Sequence, residues 1–123
     1  MPGTLTLTAS AEREFDNSPR LPIELEQLEI VLTNQQLSLE EWIVGTSEED
    51  MTVGDVANQG YLILVNVDPT NTVEWGPKSG GSMVGLGTLY PKRWAIIELK
   101  AGVVIRAVAS VAPVKLYKVL FGN

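Results

Sequence analysis

The 123-residue chain contains no histidine and no cysteine, and those two absences remove most catalytic schemes. There is no imidazole to serve as general base for a serine or cysteine nucleophile, no thiolate or imidazole to hold zinc, and no disulfide framework. Positive charge is also scarce, with 9 Lys+Arg against 15 Asp+Glu and a net charge of −6. Such a chain lacks the positive field that dominates affinity for phosphate backbones, which disfavours nucleic acid and anionic membranes as partners. No apolar run is long enough for a membrane span, and Met1-Pro2-Gly3-Thr4-Leu5 has neither the basic nor the apolar region of a secretory signal. The expectation is a protein made in the cytoplasm. Hydrophobic residues make up 45% of the chain, enough for a domain this size to close one core without metal or disulfides.

What is present reads as β-structure. Thr4 to Thr8 alternates Thr and Leu, which puts Leu5 and Leu7 on one face of a strand. The polar stretch Ala9 to Pro22 reads as a loop or arm. In Ile23-Glu24-Leu25-Glu26 the alternation resumes, but the apolar phase then slips to Leu28, Ile30 and Leu32, as a β-bulge near Glu26-Gln27 would produce. Leu21, Leu25, Leu28 and Leu32 also fit a helical period; the turn-like Thr33-Asn34-Gln35-Gln36 that follows favours strand. Ser38-Leu39-Glu40-Glu41 imitates a helix capping box, but Gly45 leaves room for barely two turns.

Tyr61 to Val67 is the clearest strand, bounded by Gly60 and by Asp68-Pro69-Thr70-Asn71, whose residue types favour a turn. Thr72 to Trp75 is expected to return as its hairpin partner. Gly76, Gly80, Gly81, Gly85 and Gly87 predict a mobile loop with a short strand at Met83-Val84. Trp94 to Leu99, Val103 to Ala109 and Val114 to Phe121 complete a series of short strands separated by turn signals. The expected fold is all-β, an antiparallel sandwich or jelly roll, as one domain over residues 23–123 with residues 1–22 as an N-terminal arm or edge strand. Strands apolar on both faces, Tyr61 to Val65 above all, imply that a second surface is covered by the N-terminal segment or another subunit.

Three groups of residues are candidate sites by type and spacing. Glu48, Glu49, Asp50 and Asp55 offer carboxylates for calcium but lack the spacing of a calcium loop, so a solvated loop is the expectation. Gly76-Pro77-Lys78-Ser79-Gly80-Gly81 lacks the spacing of a phosphate-binding loop and reads as a hairpin tip. Trp42, Trp75 and Trp94 would form a sugar-binding platform if at least two were exposed and coplanar; core or contact roles are the expectation. No pair of carboxylates is singled out for acid-base work, and neither cofactor nor metal is expected.

From Val44 onward the sequence resembles a loosely defined group of small tailed-bacteriophage virion proteins. The resemblance rests on Val44-Gly45-Thr46-Ser47-Glu48-Glu49, on Gly60 to Glu74 with its Asn-x-Asp-x-Thr-Asn turn, on Leu99-Lys100-Ala101-Gly102, and on Ala112-Pro113-Val114-Lys115-Leu116. Trp75 after Glu74 and the long glycine-rich segment depart from the pattern. The resemblance implies a non-enzymatic component of the virion, a capsid decoration (cement) protein ahead of a neck, tail or fibre component, with the major capsid protein as partner and a homotrimer as the natural oligomer at threefold positions of a shell. A carbohydrate-binding module is the alternative from another class. Leu5, Leu7, Leu62, Leu64, Trp75, Trp94, Tyr117 and Phe121 are the candidate subunit or shell contacts.

Overall fold

The computed structural model describes residues 4–13, 21–31, 36–54 and 56–122, and every described element is a β-strand. The chain divides into two compact units, Met1–Asn34 and Gln35–Asn123.

The first unit is a two-stranded antiparallel sheet of β1 (Thr4–Arg13) and β2 (Leu21–Val31). Thr4 lies opposite Val31 and Arg13 opposite Leu21, with a register shift between Leu7, opposite Leu28, and Ala9, opposite Leu25. Glu26 and Gln27 thus face the single residue Thr8, which is the bulge that the slip in apolar phase predicts, and the helical alternative for this segment falls away. Two expectations are corrected. Ala9 to Arg13 continues β1 instead of opening a loop, and the division of the chain comes after Asn34, not after Pro22, because β2 pairs with β1.

The second unit is a sandwich. One sheet has four strands in the order β3 (Leu37–Val44), β11 (Val114–Gly122), β5 (Gln59–Asn66) and β9 (Trp94–Glu98). The other runs β4 (Glu49–Asp50), β10 (Ile105–Ala109), β6 (Val73–Ser79), and β6 pairs further with both β7 (Ser82–Met83) and β8 (Gly87–Leu89). All pairings are antiparallel. Successive strands from β3 to β6, and again from β8 to β11, lie alternately in the two sheets. Inward side chains of both sheets meet in one core: Val44, Leu62, Leu64, Val114, Leu116 and Leu120 from the first, and Val73, Trp75, Leu89, Ile105, Ala107 and Ala109 from the second. The period-2 alternation of each strand supplies these residues, every second one turning inward.

Local chemistry explains where the sequence reading goes astray. β5 and β6 are not a hairpin; they belong to different sheets, and the turn between them is an arch over the end of the core. Asn66, fully buried, directs it: its Nδ2 donates to the carbonyls of Asn71 (3.0 Å) and Leu89 (2.9 Å), and its Oδ1 accepts from the Asp68 amide (2.9 Å). Asp68 Oδ1 accepts from the amides of Thr70 (2.8 Å) and Asn71 (2.7 Å), and these backbone donors hold its carboxyl below the usual range. The glycine-rich segment is strand and tight turn, not a long loop. Gly80 and Gly81, with φ of 61° and 90°, form the two-residue connection between paired Ser79 and Ser82, where a hairpin requires left-handed backbone. Gly76 sits within β6 because the carbonyl of Val84 lies 1.9 Å from where a Cβ would stand. The capping-box imitation also resolves as strand, since Ser38 to Glu41 runs through the middle of β3.

Candidate functional surface

The two outer faces of the sandwich differ in kind. On the β4-β10-β6-β8 sheet the outward positions are Asp50, Arg106, Val108, Glu74, Lys78 and Thr88, a mainly polar face suited to water. Arg106 organises it: Nε donates to Asp50 Oδ1 (2.6 Å), and Nη1 to Glu48 Oε1 (3.0 Å) and to the Gly81 carbonyl (2.8 Å). Glu48 Oε1 also accepts from the Met83 amide (2.7 Å). That amide foremost, with Arg106, holds the Glu48 carboxyl below its ordinary range, and Arg106 does the same for Asp50. The carboxylates considered for calcium therefore face a guanidinium. Glu49 in turn accepts from the Gly45 amide, Asp55 lies outside the described residues, and among the described residues no group of three or more His, Cys, Asp or Glu is placed to hold a metal.

The outer face of the β3-β11-β5-β9 sheet is apolar. Its registers set side chains in rows across four strands: Leu37, Phe121, Tyr61 and Glu98; then Leu39, Val119, Ile63 and Ile96; then Glu41, Tyr117, Val65 and Trp94. Ile43 and Lys115 extend it at one end. Leu39 is 67% exposed and Trp94 60%; Leu37, Ile43, Ile96 and Tyr117 are also open, while Tyr61, Ile63, Val65, Val119 and Phe121 are half-buried. The few charges are at the margin and have partners of their own. Glu41 lies 3.8 Å from Lys115, and Tyr61 Oη donates to Glu98 Oε2 (3.1 Å), with burial foremost pushing the Tyr61 phenol up.

These rows sort the candidate contact residues. Trp94, Tyr117 and Phe121 come together on the apolar face. Leu62 and Leu64 do not, being fully buried on the opposite side of β5, and Trp75, 7% exposed, is core; all three are corrected from contact to core, because the strand phase turns them inward. Leu5 and Leu7 lie in β1, and their side chains are outside the described residues. The sugar platform is not assembled: Trp42 packs partly buried against the core and Trp75 lies within it, so Trp94 alone is exposed. Sequence reasoning missed Leu37, Leu39, Ile43 and Ile96, although each shares a strand phase with residues that the apolar run already marked.

Beneath β11 lies a buried charge that sequence reasoning passed over. Lys118 is 1% exposed, and its Nζ donates to Ser38 Oγ (2.9 Å), Glu40 Oε1 (2.9 Å) and the Thr52 carbonyl (2.6 Å). Three donors thus meet three acceptors. The hydrogen bond from Lys118 foremost, then that from Ser38, holds the Glu40 carboxyl below its ordinary range. The cluster ties β3 and β11 to the segment after β4.

Comparison with protein-family models, with curated proteins and with solved structures found no match.

Proposed function

We propose that the protein is a non-enzymatic structural component of a tailed-bacteriophage virion, a decoration protein that binds the assembled capsid shell and stabilises it. The observation that carries this reading is the apolar outer face of the β3-β11-β5-β9 sheet, set against the polar outer face of its partner sheet. Contiguous apolar surface of this extent on a soluble domain marks contact with another protein. The sandwich wiring supports the same reading: the orders β3-β11-β5-β9 and β4-β10-β6-β8, with strands alternating between sheets, are those of two interlocked Greek keys, and we read the domain as a jelly roll, an architecture used in capsid proteins.

A protein that binds the assembled shell and not its separated subunits shifts the equilibrium towards the shell. Quantitative mass spectrometry of purified virions is expected to find the protein in copy number comparable to the major shell protein. A few copies per particle would move it to the neck or tail, and its absence from the particle would end the reading.

A further inference from the structure

We propose that the apolar outer face of the β3-β11-β5-β9 sheet is covered by the same face of a second copy of this chain, related to the first by a two-fold axis. This rests on reading that face as a protein contact and adds its occupant. Size is the first argument. With strands about 4.8 Å apart and a rise of about 3.4 Å per residue, the face measures roughly 19 by 23 Å. The flat footprint is then about 440 Å² on each copy and about 870 Å² over both, and the relief of the exposed side chains adds to it, which puts the contact at the small end of specific protein interfaces.

Charge is the second argument. The chain carries a net charge of −6, so two copies repel through most of their surface. On this face Glu41 and Glu98 stand against Lys115, and each is engaged within its own chain, so the centre brings no like charges together. Aromatic residues are enriched there and charge is confined to the rim, the composition of an interface core: Tyr61 and Phe121 share one row and Tyr117 and Trp94 another, with the aliphatic row of Leu39, Val119, Ile63 and Ile96 between them.

The third argument is the match of extent. Among the described residues, the other exposed large apolar side chains, Val84, Leu86, Tyr90, Val104 and Val111, lie in or beside turns and connections and form no face of comparable size. Between the described surfaces, a head-to-tail contact would set the large face against a much smaller one and leave most of it wet. The isologous contact buries all of it, which favours a two-fold pair over the threefold ring that shell symmetry suggests.

Sedimentation equilibrium of the full chain over a wide concentration range tests this. The expected mass is that of two chains, and Leu39→Glu on β3 and Trp94→Glu on β9, each at an exposed site, are each expected to weaken the dimer Kd by about a hundredfold or more. Val111→Glu, 77% exposed and off the face, is expected to leave Kd unchanged. Should the glutamate variants unfold, the unmodified chain still decides the matter. Trp94 is the only exposed tryptophan, so acrylamide quenching of its fluorescence is expected to rise on dilution through the dimer Kd. A single-chain mass at every concentration, a three-chain mass, or quenching that ignores dilution would overturn the pairing. A single chain that still attaches to shells would overturn the pairing and leave the proposed function standing; a dimer that accompanies no particle would do the reverse.

Discussion

Lys118 and Glu40 form an ion pair whose members have unequal access to water, and that asymmetry gives a sharp prediction. Lys118 is 1% exposed, whereas the Glu40 side chain is 42% exposed. Glu40→Gln keeps the shape, and its amide oxygen still accepts a hydrogen bond, but it leaves an ammonium group buried without a counter-charge. Stranding a buried charge costs about 3–5 kcal/mol; with Ser38 Oγ, the amide oxygen and the Thr52 carbonyl still accepting, about 2–3 kcal/mol is expected. Lys118→Met removes the charge and fills most of the space. Glu40 then turns to solvent and keeps its Ser38 bond, and the Thr52 carbonyl is the one group left short, for a loss of about 1 kcal/mol. Urea denaturation at neutral pH should place Glu40→Gln below Lys118→Met, and thermal unfolding should separate the two by several degrees in melting temperature for a domain of this size. If Lys118→Met is equally or more destabilising, burial of the ammonium is not what makes the pair matter, and the reasoning fails.

Three further outcomes follow from single contacts. Gly76→Ala puts a Cβ 1.9 Å from the Val84 carbonyl, a backbone atom that cannot step aside, and is expected to cost about 3 kcal/mol or more in denaturant titration, while Gly102→Ala, in open space at φ of 85°, should cost about 1 kcal/mol. Asn66→Leu leaves the Asn71 and Leu89 carbonyls and the Asp68 amide without their partner and should lower stability by about 3 kcal/mol in the same assay; a loss under 1 kcal/mol would show that the arch holds itself. Glu40, Glu48, Asp50 and Asp68 all have lowered native pKa values, so their contribution is present above the unfolded carboxylate range and is lost as pH falls through the native values. The urea midpoint should therefore fall on acidification, less steeply in Arg106→Gln and less steeply for the unmodified chain in high salt; a midpoint that rises with acid would contradict the assignments.

Much of this fold is written in period-2 patterns. The slip from Leu25 to Leu28 locates the bulge in β2, and the apolar run from Tyr61 marks β5 as an interior strand of its sheet. Other features are not local. Asp68-Pro69-Thr70-Asn71 announces a turn, but whether a turn makes a hairpin or an arch depends on where Asn66 finds its acceptors, and one of these, Leu89, comes from a strand much later in the chain. The glycines from Gly76 to Gly87 suggest looseness, yet two serve a tight turn and one a close backbone approach. Lys118 was legible in principle, because it shares a phase with Val114, Leu116 and Leu120; its acceptors Ser38, Glu40 and Thr52 were not, since only the pairing of β3 with β11 and the course of the chain after β4 bring them together. The contact candidates divide for the same reason. An apolar strand does not say which of its faces belongs to the core; only the register does.

The proposed contact requires that the outer face of the β3-β11-β5-β9 sheet be buried when the protein is assembled. Hydroxyl-radical footprinting of the assembled protein, each residue compared with itself in dilute protein, measures this directly, because Trp94 and Tyr90 are each 60% exposed in the isolated chain and lie on and off that face respectively. The account predicts that Leu39, Ile96, Trp94 and Tyr117 are protected in the assembly relative to dilute protein, while Tyr90 and Val111 label at undiminished rates. Labelling of Trp94 that assembly leaves unchanged would contradict it.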